Sequence, residues 1–144
     1  MINSIKEGIV AIIPKYTETG DSTYVFTSMK EIRIYKKSIR SFLKELYFMH
    51  SIDFIAQKNK FKKIGIHQNA PLILDDQVFI KVRVRKPIGK SDGAYGYVNV
   101  KAVERIKTIE DKTVLVLNTG QEIVSRDSYN TLAKNLMIGR SLAK

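Results

Sequence analysis

The chain has no cysteine and no tryptophan, and only three prolines in its 144 residues. Without cysteine there is no disulfide framework, no thiolate metal site and no cysteine nucleophile. No uninterrupted apolar run is long enough to cross a bilayer as a helix. The opening Met1-Ile2-Asn3-Ser4-Ile5-Lys6-Glu7-Gly8 lacks the basic, apolar and small-residue segments of a secretory signal, and neither end carries a lipidation signal. A cytoplasmic location is therefore the default expectation. Histidine is scarce: His50 and His67 stand alone, neither with a second ligand at metal-binding spacing. Gly89 and Gly93 flank a lysine and a serine but form no phosphate-binding loop, and no G-x-S-x-G or H-E-x-x-H is present. Asp75 and Asp76 are neighbours, which a turn explains better than a catalytic pair. Nothing here argues for an enzyme, a metal or a cofactor.

Negative charge is also in short supply. Fourteen acidic residues face 25 basic ones, a net charge of +11. Two explanations stand. An Ile-, Lys- and Asn-rich composition can follow from an AT-rich genome, or the surplus can form a surface that neutralises phosphates and releases counterions. Clustering favours the second, because Lys30 to Lys63 and Lys81 to Lys107 hold most of the excess. A nucleic-acid partner follows as the expectation.

What is present is 44% hydrophobic and 27% charged, the balance of one globular domain spanning residues 1–144. The central stretch Val78 to Arg85 reads V-F-I-K-V-R-V-R. In a strand, Val78, Ile80, Val82 and Val84 point one way, and Phe79, Lys81, Arg83 and Arg85 the other. One face suits a core. The other is cationic, which fits a half-solvated strand or a polyanion site. Lys86 and the loop Pro87 to Gly93, with Lys90, extend the charge.

Around it the pattern alternates strands and turns. Gly8 to Pro14 reads as a buried strand ended by proline, Thr19 to Ser22 as a turn, and Thr23–Thr27 and Glu31–Tyr35 as short strands. Ile39, Phe42, Leu43 and Leu46 follow helical spacing behind a Ser38 cap. Lys37, Arg40 and Lys44 share the next face, either solvated or laid along a phosphate backbone. Lys58, Lys60, Lys62 and Lys63 crowd a short helix or irregular link, where like charges need solvent or a polyanion. Ile64 to His67 and Leu72 to Leu74 read as strands, followed by Tyr95–Val100, Arg105–Ile109, and a hairpin around Asn118-Thr119-Gly120. A last helix begins near Asp127, carries Tyr129, Leu132, Ala133 and Leu136 on one stripe, and stops at Gly139. The expected fold is α+β, mostly antiparallel sheet with two or three helices, without an internal repeat.

Several stretches, taken in order, resemble the competence transcription factor family, ComK. Gly8-Ile9-Val10-Ala11-Ile12-Ile13-Pro14 is similar to its G-x-x-A-x-x-P start. Asn69-Ala70-Pro71-Leu72-Ile73-Leu74-Asp75, followed by Val78-Phe79-Ile80, is similar to its x-x-P-I-x-V-D and F-x-F strand. Tyr97-Val98-Asn99-Val100 stands for its W-I-S, and Ser128-Tyr129-Asn130-Thr131-Leu132 for its S-Y-N-S-F. The family's F-P-T-x-S, its cysteine and tryptophan, its G-R-x-x-A and its basic C-terminal extension have no counterpart. The resemblance implies a sequence-specific activator of DNA-uptake genes in a low-GC Gram-positive bacterium. It would bind paired AT-rich duplex boxes as a homo-oligomer through the minor groove, associate with the nucleoid, and contact RNA polymerase. Control by a proteolytic adaptor is in doubt without the extension. On this reading the DNA-binding residues are Lys81 together with Arg83, Arg85, Lys86 and Lys90, the last four as the wedge in the groove, and Lys37, Arg40, Lys44, Lys58, Lys60, Lys62 and Lys63 on flanking phosphates. The segment Tyr97 to Leu136 is also similar to the LytTR domain, a major-groove reader. A protein-interaction module using the helix Ile39 to Met49, or an RNA-binding domain, are the remaining alternatives.

Overall fold

The computed structural model describes residues 8–143. The expectation that no secretory signal is present falls on Met1 to Glu7, outside the described residues. Six strands form one antiparallel sheet in the order β3-β2-β1-β6-β5-β4. They are β1 (Ile9–Thr17), β2 (Gly20–Thr27), β3 (Ile32–Tyr35), β4 (Leu72–Leu74), β5 (Gln77–Arg83) and β6 (Tyr95–Asn99). A second antiparallel sheet joins β7 (Val103–Ile109), β8 (Lys112–Leu117) and β9 (Glu122–Ser125). Helices α1 (Ile39–Met49), α2 (Phe54–Lys63) and α3 (Tyr129–Leu142) complete a mostly-sheet α+β domain. Among the described residues no helix is long and apolar enough to cross a membrane.

Alternation along the strands makes two cores, one on each face of the larger sheet. Val78, Ile80 and Val82 of β5 join Val98, Leu115, Leu117, Leu132 and Leu136, so β7–β9 and α3 cover that face. Phe79 points the other way and packs with Ile12, Val25, Phe42, Leu46 and Tyr97 beneath α1. The buried residues of α1 are Ile39, Phe42, Leu43 and Leu46, the stripe that the helical spacing marks out. Each such side chain contributes roughly 1.5–3 kcal/mol when fully buried. Ser38 caps the helix, its Oγ accepting the Ser41 N–H at 3.2 Å.

Several local expectations are corrected. Proline does not end β1: Pro14 pairs with Thr23 inside a strand that continues to Thr17. Pairing of β1 with β6 stops at Ile12, so the proline sits where only one neighbour strand is present. Of the two readings of the lysine-rich link, the short helix is the one found, capped by Asp53. Ile64 to His67 is not a strand; Gly65 turns the chain at φ +90°. Ser128 rather than Asp127 caps α3, its Oγ accepting the Thr131 N–H at 3.1 Å.

The fold also contains a repeat that the residue types conceal. A hairpin, a third strand and a serine-capped helix occur twice, as β1-β2-β3-α1 and as β7-β8-β9-α3. The first strand of each bulges at the same step of its ladder, between Ile9 and Ala11 and between Val103 and Arg105. The second turn of each places one residue at positive φ, Lys30 at 65° and Gly120 at 90°. Each turn is closed by the same bond, Thr27 N–H to Glu31 O and Leu117 N–H to Gln121 O, both 2.9 Å.

Gly139 does not terminate α3. It lies inside the helix and is buried, and a Cβ there would stand 2.6 Å from Ile80 and 2.7 Å from Val100. The glycine lets α3 approach the sheet closely. Gly139→Val should therefore destabilise the protein by about 2–3 kcal/mol through overpacking, measured by urea denaturation. A change at exposed Met137 should shift the midpoint little.

Candidate nucleic-acid interface

Lys81 and Arg83 follow Phe79 on the α1 side of β5. That face is not open surface. Phe79 is buried there, Lys81 is half-buried, and Arg83 alone is exposed. Lys81 lies at the wall of a cavity of about 1130 Å³ between α1, α2 and the sheet. Arg40 and Lys44 reach it from α1, and Lys58 from α2. The apolar lining includes Leu43, Tyr47, Phe54, Tyr95 and Tyr97. Tyr47 and Phe54 stack with ring centroids 5.1 Å apart. The Lys81 ammonium sits 4.4 Å from the centroid of the Tyr95 ring, a favourable cation–π placement. Burial lowers the Lys81 pKa below the ordinary lysine range, and the Lys58 charge lowers it further. Burial also pushes the Tyr97 hydroxyl up to about 12.

The loop after β5 is built rather than mobile. The Arg85 guanidinium donates to both Asp21 oxygens, at 2.7 and 3.0 Å, and its Nε donates to Gly93 O at 2.7 Å. It also stacks 4.0 Å from the centroid of Tyr16. The Tyr16 hydroxyl donates to Asp92 Oδ2 at 2.6 Å and accepts the Ile88 N–H at 2.8 Å. Gly89 N–H donates to the same carboxylate at 3.0 Å. Arg85, expected as a groove-inserting cation, is therefore a structural residue, its donors turned inward and its side chain 10% exposed. Pinned this way, the loop holds Ile88 out at 83% exposure, between exposed Lys86 and Lys90.

The remaining cations divide. Arg40, Lys44, Lys58 and Lys81 are brought together around the cavity. Lys60, Lys62 and Lys63 are exposed on α2 beside them, because α2 turns Phe61 inward and fixes Gln57 to the Ile73 backbone. Lys37 is engaged with Glu45 at 2.6 Å. The backbone of Arg83 is clamped by the corner between β9 and α3, its N–H donating to Asp127 Oδ2 at 2.8 Å, while its side chain stays exposed. Sequence reasoning missed Ile88 as the loop's exposed tip and the tyrosines of the cavity. The placing of Ile88 between Lys86 and Lys90 was visible in the sequence; the pairing of β5 with β6 that sets Lys81 among the tyrosines was not.

Comparison with protein families, with curated proteins and with solved structures finds no match to this chain.

Two predictions follow from the loop network. Arg85→Met and Asp21→Asn should each cost about 3 kcal/mol, since either leaves a buried charged group unpaired. The double variant should cost clearly less than the two together, read from a denaturation double-mutant cycle. The Asp92 carboxyl is held below the usual carboxylate range chiefly by the Tyr16 hydroxyl, then by the Gly89 N–H, with a small contribution from Arg85 against some desolvation. A depressed folded-state value means that this stabilisation is present above the ordinary carboxylate pKa and is lost as pH falls through the lowered one. Tyr16→Phe should move the Asp92 titration up towards the ordinary range, followed by side-chain carbonyl NMR.

Proposed function

We propose that this protein is a sequence-specific transcription regulator that binds AT-rich double-stranded DNA through the minor groove. The observation that carries the reading is the loop tip: an exposed Ile88 flanked by Lys86 and Lys90, on a backbone tied down by Arg85, Tyr16 and Asp92. Minor-groove proteins commonly wedge an apolar side chain between base steps and neutralise the adjacent phosphates with lysine or arginine. Narrow A-tract grooves attract such cations by their deepened negative potential. Rigidity matters, because a wedge that must first order itself gives up part of its binding free energy. The exposed side chains of Lys60, Lys62 and Lys63, and those of Arg40 and Lys44 at the cavity, supply further sequence-independent phosphate contacts.

The motif order shared with the competence transcription factors supports the same partner. It extends the proposal to activation of DNA-uptake genes from the bacterial nucleoid by a homo-oligomer in contact with RNA polymerase. The LytTR-like alternative agrees on DNA and differs on the groove. A protein-interaction role is favoured by one observation: α1 ends with Phe48 83% and Met49 46% exposed, so part of its apolar surface has no cover among the described residues.

The test is a salt-controlled shift assay on duplexes recovered from a random pool. Ile88→Ala should weaken AT-rich binding about tenfold and reduce the bend of the bound duplex, with little effect on mixed-sequence DNA. Lys86→Ala with Lys90→Ala should weaken both duplexes and flatten the salt dependence by about two units. Unchanged affinity in both variants removes the loop from the interface. Failure of an AT-specific minor-groove drug to displace the protein assigns the major groove instead.

A further inference from the structure

The cavity between α1, α2 and β5–β6 has a use that duplex binding does not require. Its floor is apolar and aromatic, with Leu43, Tyr47, Phe54, Tyr95 and Tyr97, and it is roomy enough, at about 1130 Å³, for a drug-sized molecule. Its charged groups are mostly cations. Arg40, Lys44, Lys58 and Lys81 all line it, against one carboxylate, that of Asp53, which already accepts the Ala56 N–H as the cap of α2. His67 is the remaining titratable imidazole at the edge.

The decisive group is Lys81. It projects from a strand whose neighbouring residues are core, and it is half-buried. It has an aromatic ring beneath it and no carboxylate partner among the described residues. A half-buried ammonium ordinarily pairs with an acid, because desolvation is otherwise uncompensated. Lys37 and Lys107 elsewhere in this chain do so. The Tyr47 and Tyr97 hydroxyls line the same space and also lack hydrogen-bond partners among the described residues. An unpaired cation, unpartnered phenols and a ring-lined floor together describe the complement of a molecule carrying one acidic group on a flat apolar body.

We infer that this cavity binds a small organic anion with a planar apolar body, its acid group held by Lys81 and Lys58 and its body seated against Tyr47, Tyr95 and Tyr97. The site stands whether or not the protein binds DNA. If it does, the anion held by Lys81 and Lys58 sits beside Arg40 and Lys44, which contact phosphates, and competes with the duplex.

The experiment uses the full chain without DNA. Anilinonaphthalene sulfonate, a planar aromatic anion, is titrated by fluorescence and calorimetry beside neutral phenylnaphthylamine, which has the same ring body and no acid. Saturable binding of one sulfonate per chain is expected, at least tenfold tighter than the neutral compound. Lys81→Met should weaken the sulfonate at least tenfold and leave the neutral compound unchanged. Lys58→Met, on an exposed helix face where the fold is safe, should weaken it several-fold, and Lys112→Met on β8 not at all. Circular dichroism confirms that each variant is folded. Absence of saturable binding overturns the proposal. So does equal binding of the two compounds, or sulfonate binding that survives both Lys81→Met and Lys58→Met.

Discussion

A strand buried on both faces is the constraint on which the rest depends. The alternation of β5 sends Val78, Ile80 and Val82 into one core and Phe79 into the other, so the larger sheet must be covered twice. The second sheet and α3 supply one cover. Helix α1 supplies the other over Phe79. Beyond that point the same strand carries Lys81, which cannot enter an apolar core and is not released to bulk water either. The cavity, its cations and its tyrosines lie where α1, α2 and the basic end of the strand face one another.

The duplicated unit explains why one half of the molecule offers chemistry and the other offers structure. Both copies bulge their first strand at the same step, and in both a side chain satisfies the carbonyl of the residue before the bulge. Asn99 Nδ2 donates to Ile9 O at 3.1 Å, and Arg140 Nη2 donates to Val103 O at 3.0 Å. The difference lies in what stands beside that strand. In the first copy β6 pairs with β1, and the β4-β5-β6 meander brings its cations and aromatics to the helix side. In the second copy no ladder forms on the outer edge of β7 among the described residues. The edge instead carries exposed Glu104 and Arg105, charges of the kind that discourage strand addition.

Patterns confined to a few neighbouring residues were legible in the sequence. The two-faced character of Val78 to Arg85, the stripe of α1 with its Ser38 cap and the turn at Gly120 all follow from local periodicity or local backbone chemistry, and the α+β class follows from their sum. Features that depend on distant partners were not legible. Arg85 has the same alternation as Arg83, and only Asp21, far away in the chain, makes it structural. Gly139 has the residue type of a helix stop, and only the closeness of Ile80 and Val100 shows that it is a packing position. The repeat was hidden because backbone register and capping are kept while side chains are exchanged; Lys30 holds the positive φ that Gly120 holds in the other copy. Clustering of Arg40, Lys44, Lys58 and Lys81 was suggested by charge counting, but their convergence on a cavity required the sheet order.

The α1–α2 face and the pinned loop are the proposed meeting place of this protein with a polyanion. Amide hydrogen exchange with and without an AT-rich duplex measures that most directly. Slowed exchange confined to Lys86–Gly93, α2 and the exposed side of α1, with β7–β9 unchanged, is the predicted result. Protection concentrated on β7–β9 and α3, or none anywhere at saturating duplex, would contradict it.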